Sequence, residues 1–586
     1  MAPRAARLWV VIALLSAPAA WAQPPGPQGG FPFDRGQGNR QTPARAGQRQ
    51  PEDIPGTSVI RGSIVAADTG TPIRRAQVRI SGQGVPSRLA TTDAQGRFEI
   101  KDLPAGRYTI SAQKGGFVAL QYGQRRPSES GTPIDLGDGQ TLEKLVIGLP
   151  RGSVITGRIT DEFGEPVANA MVSALRYGYS AGAKRLMPGG GQNSRGTTDD
   201  LGQFRLFGLS PGEYIVSAAL RAGGEVTDPG GEATGYPPTY YPGTANVSEA
   251  QRVTVALGQE QNSVSFGLIA SKLVRVTGAV IDSQGAPVRN AMVMLAPSGG
   301  RLGPGAMMQM ATARVSESGQ FRVANVAPGR YLAQVRTIRG GGRGGFVPAD
   351  GLGETGRQEI AVGGEDLDGV VIVTGPGARV TGVITTDGQS SIRPQQVQVG
   401  ARLAEPEQAM PGAGGGNMRL NDDWTFEMNG LFDARLFRVG VPQGWTLKSV
   451  TLNGQDITDT PIEFPSGQSV AGVQIAITDK VTNLTGRVTD IKGNAVTDVT
   501  VVVFPADEAR WTYQSRFVKT ARPGQDGQYQ MSGLPPYDRY LVVPVQGLED
   551  GQAGDPDFLA SIKTQGTDLS LNDGDTRAVD LRFRPH

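Results

Sequence analysis

The chain has no cysteine, and its single histidine is His586, the last of 586 residues. It therefore lacks the ligand set of a zinc peptidase and the base of a Ser-His-Asp or Cys-His site. Without disulfides, each folded unit must depend on its own hydrophobic core. We predict that the protein is not an enzyme, has no catalytic residues and carries neither a cofactor nor a metal ion. The alternative to the last prediction is calcium, because the loops Asn572-Asp573-Gly574-Asp575 and Gly137-Asp138-Gly139 present oxygen ligands close together, although ordinary turns are the favoured interpretation.

The sequence also lacks a strong charge of either sign. Lys and Arg total 57 against 55 Asp and Glu, so the net charge is only +2. No broad electrostatic field favours nucleic acid or an anionic membrane, and we predict no nucleic-acid partner. Beyond the N-terminal segment, no apolar run is long enough for a membrane helix, so no membrane span is expected after that segment is removed.

The N-terminal segment resembles an export signal. Arg4 and Arg7 precede the apolar run 8–15, and Ala20-Trp21-Ala22 supplies the small residues that a signal peptidase requires. We predict a signal peptide over 1–22 and an exported protein that is periplasmic, associated with the outer surface or secreted. Residues 23–55 are rich in Pro, Gly, Gln and Arg and predict a disordered linker.

A pattern of turn residues recurs about every hundred residues along the rest of the chain. Each copy has an early Gly, a Gly-x-Phe or Gly-x-Tyr strand and a Pro-rich turn before a Tyr. The copies include Gly62, Gly96, Phe98, Pro104 and Tyr108; Gly157, Gly202, Phe204, Pro211 and Tyr214; Gly278, Gly319, Phe321, Pro328 and Tyr331; and Gly486, Gly527, Tyr529, Pro535 and Tyr540. A period of this length indicates autonomous small domains, since solenoid repeats are shorter.

Apolar residues alternate along short segments between the turns, which is typical of half-buried strands. The fold class is therefore all-β: a tandem array of about five antiparallel immunoglobulin-like or transthyretin-like β-sandwich modules. The predicted modules are 56–150 (module 1), 151–270 (module 2), 271–375 (module 3), 376–480 (module 4, divergent) and 481–586 (module 5). Short junctions between them predict a semi-rigid rod.

The repeated acidic and tyrosine residues have structural interpretations. We expect Asp93, Asp161, Asp199, Asp282 and Asp490 to cap their own turns through backbone N–H groups. The Tyr that follows each Pro-rich turn is expected to enter the core while its hydroxyl bonds nearby backbone, as in a tyrosine corner.

The segment that begins Thr156-Gly157 and continues through Asp161, Gly164 and Pro166 resembles the carboxypeptidase regulatory-like domain. The resemblance extends over modules 1, 2, 3 and 5. It implies a transthyretin-like sandwich, which is grouped with carbohydrate-binding-like folds and also serves in stalks and appendages. The resemblance thus implies binding or spacing and identifies no ligand.

Aromatic residues in loops are the candidates for ligand binding. Such side chains stack on sugar rings or anchor protein interfaces, and loops on a rigid sandwich commonly carry binding sites. The candidate ligand-binding residues are Tyr236, Tyr240 and Tyr241 in the Pro-rich loop of module 2, Tyr122 in module 1, and Trp511 and Tyr513 in module 5. The alternative is that these side chains are packing elements folded over their sandwiches.

We therefore expect an exported, non-catalytic modular binding protein of the cell envelope that recognises carbohydrate or another surface polymer. The alternative is a structural stalk or accessory protein whose partner is a cell-envelope protein. A carboxylate-dependent hydrolase is a third hypothesis, because 55 Asp and Glu residues offer many pairs.

Overall fold

The computed structural model describes residues 56–82, 85–124, 126, 129–180, 182–189, 193–220, 226–227, 233–297, 310–337, 354–389, 391–404 and 417–584. The predicted signal peptide and linker and His586 lie outside these residues. Within the described ranges, no helix has the length and apolar character that a membrane crossing requires.

Module 1 is a sandwich of two sheets. Its strands are β1 (Ser58–Ala66), β2 (Gln77–Gly82), β3 (Val85–Thr91), β4 (Arg97–Leu103), β5 (Gly106–Gln113), β6 (Leu120–Gln121), β7 (Ile134–Leu136) and β8 (Thr141–Leu149). One sheet has the order β4-β1-β8, and the other has the order β3-β2-β5-β6, with β7 also paired to β5. Alternate residues of each strand face the core between the sheets, where Ile60, Ile64 and Val78 are fully buried.

Modules 2 and 3 repeat this plan, with six strands in the second sheet of module 2 and five in that of module 3, as in module 1. The strands of module 2 are β9 (Ser153–Thr160), β10 (Met171–Ser180), β11 (Ala183–Pro188), β12 (Arg195–Thr197), β13 (Gln203–Leu209), β14 (Gly212–Ala219), β15 (Val226–Thr227), β16 (Ala233–Gly235), β17 (Thr239–Tyr240), β18 (Val253–Val255), β19 (Glu260–Asn262) and β20 (Phe266–Gly267). Those of module 3 are β21 (Ser271–Lys272), β22 (Val274–Ile281), β23 (Ala291–Pro297), β24 (Ala311–Arg314), β25 (Gln320–Val326), β26 (Gly329–Thr337), β27 (Glu354–Val362), β28 (Leu367–Val373) and β29 (Gly375–Pro376). Strand β21 pairs with β16, so main-chain hydrogen bonds cross the predicted boundary between the two modules.

Module 5 has the same plan and an added helical segment. Its strands, numbered after the eight of module 4, are β38 (Asn483–Thr489), β39 (Val499–Pro505), β40 (Lys519–Ala521), β41 (Gln528–Ser532), β42 (Tyr537–Gln546), β43 (Thr567–Leu571), β44 (Thr576–Ala578) and β45 (Leu581–Arg582). Helix α1 (Pro556–Ile562) buries Leu559 and Ile562 against the outer side of β39 and β42.

Module 4 is a sandwich with a different arrangement of strands. It contains β30 (Ala378–Asp387), β31 (Gln398–Leu403), β32 (Asn417–Leu420), β33 (Thr425–Leu431), β34 (Arg435–Gly440), β35 (Thr446–Leu452), β36 (Gln455–Asp456) and β37 (Ser469–Thr478). Its main sheet has the order β32-β33-β30-β37-β35-β36, and β31 pairs with β34. Strand β35 thus joins the sheet of the opening strand. In modules 1, 3 and 5 the strand that precedes the closing strand belongs to the other sheet; these strands are β7, β27 and β43.

The prediction of tandem β-sandwich modules is confirmed, and the structure adds one parallel pair to each of them. The opening strands β1, β9, β22, β30 and β38 pair in parallel with the closing strands of their modules. The early Gly of the repeat lies at this pair. A Cβ on Gly278 would stand 2.0 Å from the carbonyl oxygen of Val370 and 2.9 Å from the Phe321 ring, so only glycine fits there.

The turn and tyrosine-corner predictions are also confirmed. Oδ1 of Asp161 accepts hydrogen bonds from the N–H groups of Phe163 and Glu165 at 2.9 and 2.8 Å. The same contacts recur at Asp93, Asp199, Asp282 and Asp490. The corner tyrosines donate to backbone carbonyls four or five residues earlier: Tyr108 to Pro104, Tyr214 to Ser210, Tyr331 to Ala327 and Tyr540 to Pro535.

The prediction of a rod is wrong, because module 5 contacts modules 1 and 2. Arg107 of module 1 donates to the carbonyl oxygen of Arg522 at 3.0 Å. Ser130 Oγ donates to Asp550 at 3.1 Å. The main chains of modules 2 and 5 also come close: a Cβ on Gly551 would lie 2.9 Å from the carbonyl oxygen of Tyr179. These contacts join parts of the chain that local sequence patterns do not relate.

Candidate functional site

Two of the six candidate aromatic residues are buried in module cores. Tyr236 is 7% exposed, and its hydroxyl donates to Glu162 at 2.6 Å. Burial, with a smaller effect of this carboxylate, raises the pKa of Tyr236. Trp511 is 5% exposed, packs edge-on against Phe504 and donates through Nε1 to the carbonyl oxygen of Pro505 at 2.8 Å. Neither ring has a free face in this conformation, so the packing alternative applies to both.

Tyr240 and Tyr241 are half-buried on module 2. Tyr240 lies in β17, which pairs with β14 opposite Ser217. The Tyr241 ring packs edge-on against Phe266, with 6.0 Å between the ring centroids. The structure therefore does not gather the tyrosines of the Pro-rich loop on one exposed surface, because Tyr236 faces the core while Tyr240 lies on the sheet edge.

Tyr122 and Tyr513 lie where other modules meet module 5. Gln525 of module 5 donates through Nε2 to the Tyr122 hydroxyl oxygen at 3.3 Å. Tyr513 is half-buried, and a Cβ on Gly182 of module 2 would lie 3.8 Å from its ring. Both residues were candidates because they are aromatic residues in loops. Their surroundings, however, are set by contacts between modules that lie far apart in the sequence.

A cleft of about 460 Å³ opens between modules 1 and 5 beside Tyr122. We refer to it as the 1–5 cleft. Module 1 contributes the loop after β6 and part of strand β8, and module 5 contributes two turns. The lining residues are Leu120, Gln121, Tyr122, Gly123, Gln124, Thr132, Val146, Ile147, Gly148, Thr497, Asp498 and Gln525.

Hydrogen bonds fix the loop that follows β6 and begins at Tyr122, which we call the Tyr122 loop. The N–H of Tyr122 donates to Ile110 at 2.8 Å, and its carbonyl accepts from the N–H of Thr132 at 2.7 Å. Gln121 accepts from the N–H of Gly131 at 2.8 Å. Because both strands of the loop are tied down, the cleft wall is formed before any ligand arrives, which lowers the entropic cost of binding.

The chemistry of the 1–5 cleft combines apolar surface with uncharged polar groups. Val146 is 53% exposed and, with the Tyr122 ring, offers apolar contact. Thr497 and Gln525 offer a hydroxyl and an amide group at the same opening. A sugar ring has the matching surface, because it carries an apolar C–H face and a rim of hydroxyl groups.

The described lining offers little for hydrolysis. Asp498 is the one carboxylate among these lining residues, and it accepts a hydrogen bond from Gln546 at 2.8 Å. Glycoside hydrolysis usually requires two carboxyl groups that flank the scissile bond. Throughout the part of the chain that the structure describes, no three His, Cys, Asp or Glu side chains form a group that could hold a metal ion.

Gln525, Thr132 and Asp498 line the cleft but were not predicted from the sequence as site residues. Each is a polar residue in or beside a turn, with no periodic or aromatic signal to distinguish it. Gln525 and Asp498 lie more than 370 residues from Tyr122 along the chain, so only the docking of module 5 brings them to the same cleft.

Comparison with known proteins identifies the repeat. The family model of the carboxypeptidase regulatory-like domain matches residues 59–147, 154–262 and 275–344, which fall in modules 1, 2 and 3. None of the curated proteins matches the chain.

Several solved structures are similar to parts of this chain at low identity. A Streptococcal ancillary pilin shows 14% identity over 54% of this chain and 98% of its own, with a TM-score of 0.21. The Bacillus anthracis TIE protein shows 13% identity over 54% of this chain, which spans only 50% of that protein, with a TM-score of 0.15. A candidate carbohydrate-binding protein from Pseudomonas aeruginosa shows 15% identity over 18% of this chain and 88% of its own, with a TM-score of 0.14.

Proposed function

We propose that this protein, whose first three modules are carboxypeptidase regulatory-like domains, is a non-catalytic binding protein of the cell envelope that holds a carbohydrate or similar surface polymer in the 1–5 cleft. The observation that carries the proposal is the placement of Tyr122 beside Val146 and Gln525 in a cleft of about 460 Å³. The apolar pair would contact the face of a sugar ring, and the amide and hydroxyl groups would bind its rim.

Export to the cell envelope is part of this proposal and agrees with the binding role. The signal-like segment 1–22 lies outside the described residues, and its Arg-then-apolar pattern favours passage through the inner membrane. A polymer of the envelope would be the ligand available there. The periplasm, the outer surface and the medium are all compatible with the proposal.

Binding should be tested first with the purified protein on a polysaccharide and glycan array, with added calcium and again with a chelator. Saturable binding to a neutral glycan supports the proposal. Gln525→Ala should then weaken that binding about two- to tenfold, since one hydrogen-bonding group is removed. The matched control is Gln530→Ala, an exposed glutamine of module 5 outside the cleft.

Two results would contradict the proposal. Binding that is unchanged in both Tyr122→Ala and Gln525→Ala would place the glycan site elsewhere. No binding to any glycan would favour a structural or accessory protein that acts through protein contacts.

One observation favours that second function. Val371 and Val373 on β28 are 49% and 54% exposed, and β28 is the edge strand of the small sheet of module 3. Exposed apolar side chains on an edge strand suit a protein partner. Cross-linking of the protein in envelope extracts, with Val371→Lys as the comparison, would reveal such a partner by a product that the variant loses.

A further inference from the structure

A second cleft lies where modules 1, 2 and 5 meet, with a volume of about 500 Å³. We refer to it as the junction cleft. Module 1 contributes Arg126, module 5 contributes Glu549, and module 2 forms the rest of the wall with β10, β11, β14 and Arg252. Module 2 therefore forms most of the cleft, and the docking of module 5 completes its wall.

The floor of the junction cleft is the outer face of module 2's larger sheet. Leu175 of β10 opposes Ile215 of β14, and the two side chains are 2% and 4% exposed although they lie outside the core between the sheets. Tyr177 follows Leu175 on the same face of β10 and is 42% exposed. A half-exposed aromatic ring beside an apolar floor is suited to stacking against a flat ligand surface.

Module 5 holds the far side of the cleft. The hydroxyl group of Tyr179 is hydrogen-bonded with Gln552, and burial together with nearby Asp555 and Glu549 raises the pKa of this tyrosine. Tyr179 is therefore a neutral residue of the interface, and Tyr177 is the aromatic residue of this wall that remains open to a ligand.

Positive charge dominates the wall of the junction cleft. Four cationic side chains line it, against two carboxylates: Arg126, Arg176, Lys184 and Arg252, with Glu213 and Glu549. Arg252 forms an ion pair with Glu213 at 2.7 Å, and Arg126 forms one with Glu129 at 3.8 Å. Over the described ranges of the chain, neither Arg176 nor Lys184 has a carboxylate partner within ion-pair distance.

This imbalance contrasts with the chain as a whole, whose net charge is only +2. Like charges gathered in one cleft repel each other and raise the local concentration of anions. Arg176 is half-buried beside the Tyr214 hydroxyl, with which it forms a hydrogen bond, so its guanidinium is held in place. A guanidinium and an ammonium group that line one cleft can bind carboxylate, sulfate or phosphate groups of a ligand that extends along it.

We propose that the junction cleft binds an anionic glycan, with Arg176 and Lys184 contacting its acidic groups and Tyr177 contacting a sugar ring. This site is separate from the 1–5 cleft and does not depend on the function proposed there. The acidic group is a carboxylate or a sulfate, and the two are distinguished by the choice of probe.

Titration calorimetry on the full chain tests the proposal with polygalacturonate, dextran sulfate and neutral dextran at about 50 mM and about 500 mM salt. We expect binding of at least one of the two polyanions at low salt, weakened at high salt. Lys184→Glu should reduce that affinity about tenfold or more, because a charge-assisted contact becomes repulsive. Lys492→Glu, which makes the same charge change at an exposed turn of module 5, is the matched control and should bind as the wild type does.

The outcomes separate the alternatives. A preference between the two polyanions identifies the acidic group and supports the proposal. Absence of polyanion binding at low salt, or equal losses in Lys184→Glu and Lys492→Glu, overturns it. Arg176→Gln provides a second test, and an unchanged melting temperature shows that the variant is folded.

Polyanion binding should be retained in Gln525→Ala. Gln525 lines the 1–5 cleft and not the junction cleft, and the hydrogen bonds of Arg107 and Arg522 still join module 5 to module 1 in this variant. A failure of the proposal for the 1–5 cleft would therefore remain distinguishable from a failure of the proposal for the junction cleft.

Discussion

Arg107 of module 1 donates a hydrogen bond from its guanidinium to the backbone carbonyl of Arg522 in module 5, 415 residues further along the chain. Arg522 in turn donates to the carbonyl oxygens of Ser130 and of Gly123, the latter at 3.3 Å. Arg522 is only 8% exposed. The two arginines thus join the first and last modules by bonds between side chains and backbone.

Arg522→Ala should release module 5 from module 1. The change leaves carbonyl oxygens of the Tyr122 loop without these donors, and we expect a loss of about 1–3 kcal/mol in docking free energy. Small-angle scattering should show a larger radius of gyration. Arg487→Ala is the control, because Arg487 donates to a carbonyl oxygen within module 5, that of Asp526, at 2.9 Å. Unchanged scattering in Arg522→Ala would contradict this role.

Tyr331→Phe should destabilise module 3. The buried Tyr331 hydroxyl donates to the Ala327 carbonyl at 2.8 Å, and its removal leaves that acceptor unpaired. We expect a cost of about 1–2 kcal/mol, measured by calorimetry as a lower melting temperature. Tyr537→Phe should have little effect, since that hydroxyl makes an exposed contact of 3.4 Å with Asp507. Equal shifts in the two variants would show that the corner bond is not what stabilises the turn.

Gly278→Ala should weaken the parallel pair of β22 and β28. The added Cβ would stand 2.0 Å from the Val370 carbonyl oxygen, so the strands must separate, at a cost of about 2–3 kcal/mol. Hydrogen exchange at β22 and β28 should become faster. Gly363→Ala, where nothing lies within 4 Å of the new Cβ, should leave exchange unchanged. Protection as strong as in the wild type would rule out a tight approach at Gly278.

Module 4 should lose stability in acid through Asp387. The hydrogen bond from Lys448, at 2.6 Å, lowers the pKa of this exposed carboxylate below its usual value of 3.8. A lowered folded-state pKa gives stability that is present above pH 3.8 and lost as pH falls through the folded-state value. Asp387→Asn should therefore show a smaller drop in urea midpoint between pH 6 and pH 3, followed by the fluorescence of Trp424 and Trp445. An identical drop in both proteins would contradict the assignment.

The sequence predicted the modules because their determinants are local. Gly-x-Phe strands, Asp turns and Pro-rich turns before Tyr recur at fixed spacing, and each acts on residues within a few positions. The turn contacts of Asp161 and the corner bond of Tyr214 are found as predicted. Local alternation did not reveal the parallel pairing of opening and closing strands, because parallel and antiparallel strands alternate in the same way.

The candidate site was predicted less well. Aromatic content directed attention to Tyr236 and Trp511, which are buried, and also to Tyr122, which lines the 1–5 cleft. Composition cannot distinguish an aromatic ring that fills a core from one that borders a cleft, since both reduce contact with water.

The sequence by itself determined the number of modules, their sandwich character and the turns that hold each one together. Only the tertiary structure decided that module 5 docks on modules 1 and 2, forms the 1–5 cleft and completes the junction cleft. The physical reason is the range of the interactions. Turns and strand alternation are encoded within a few residues, whereas the docking contacts of Arg107, Arg522 and Gln525 join loops hundreds of residues apart through individual hydrogen bonds that leave no periodic pattern.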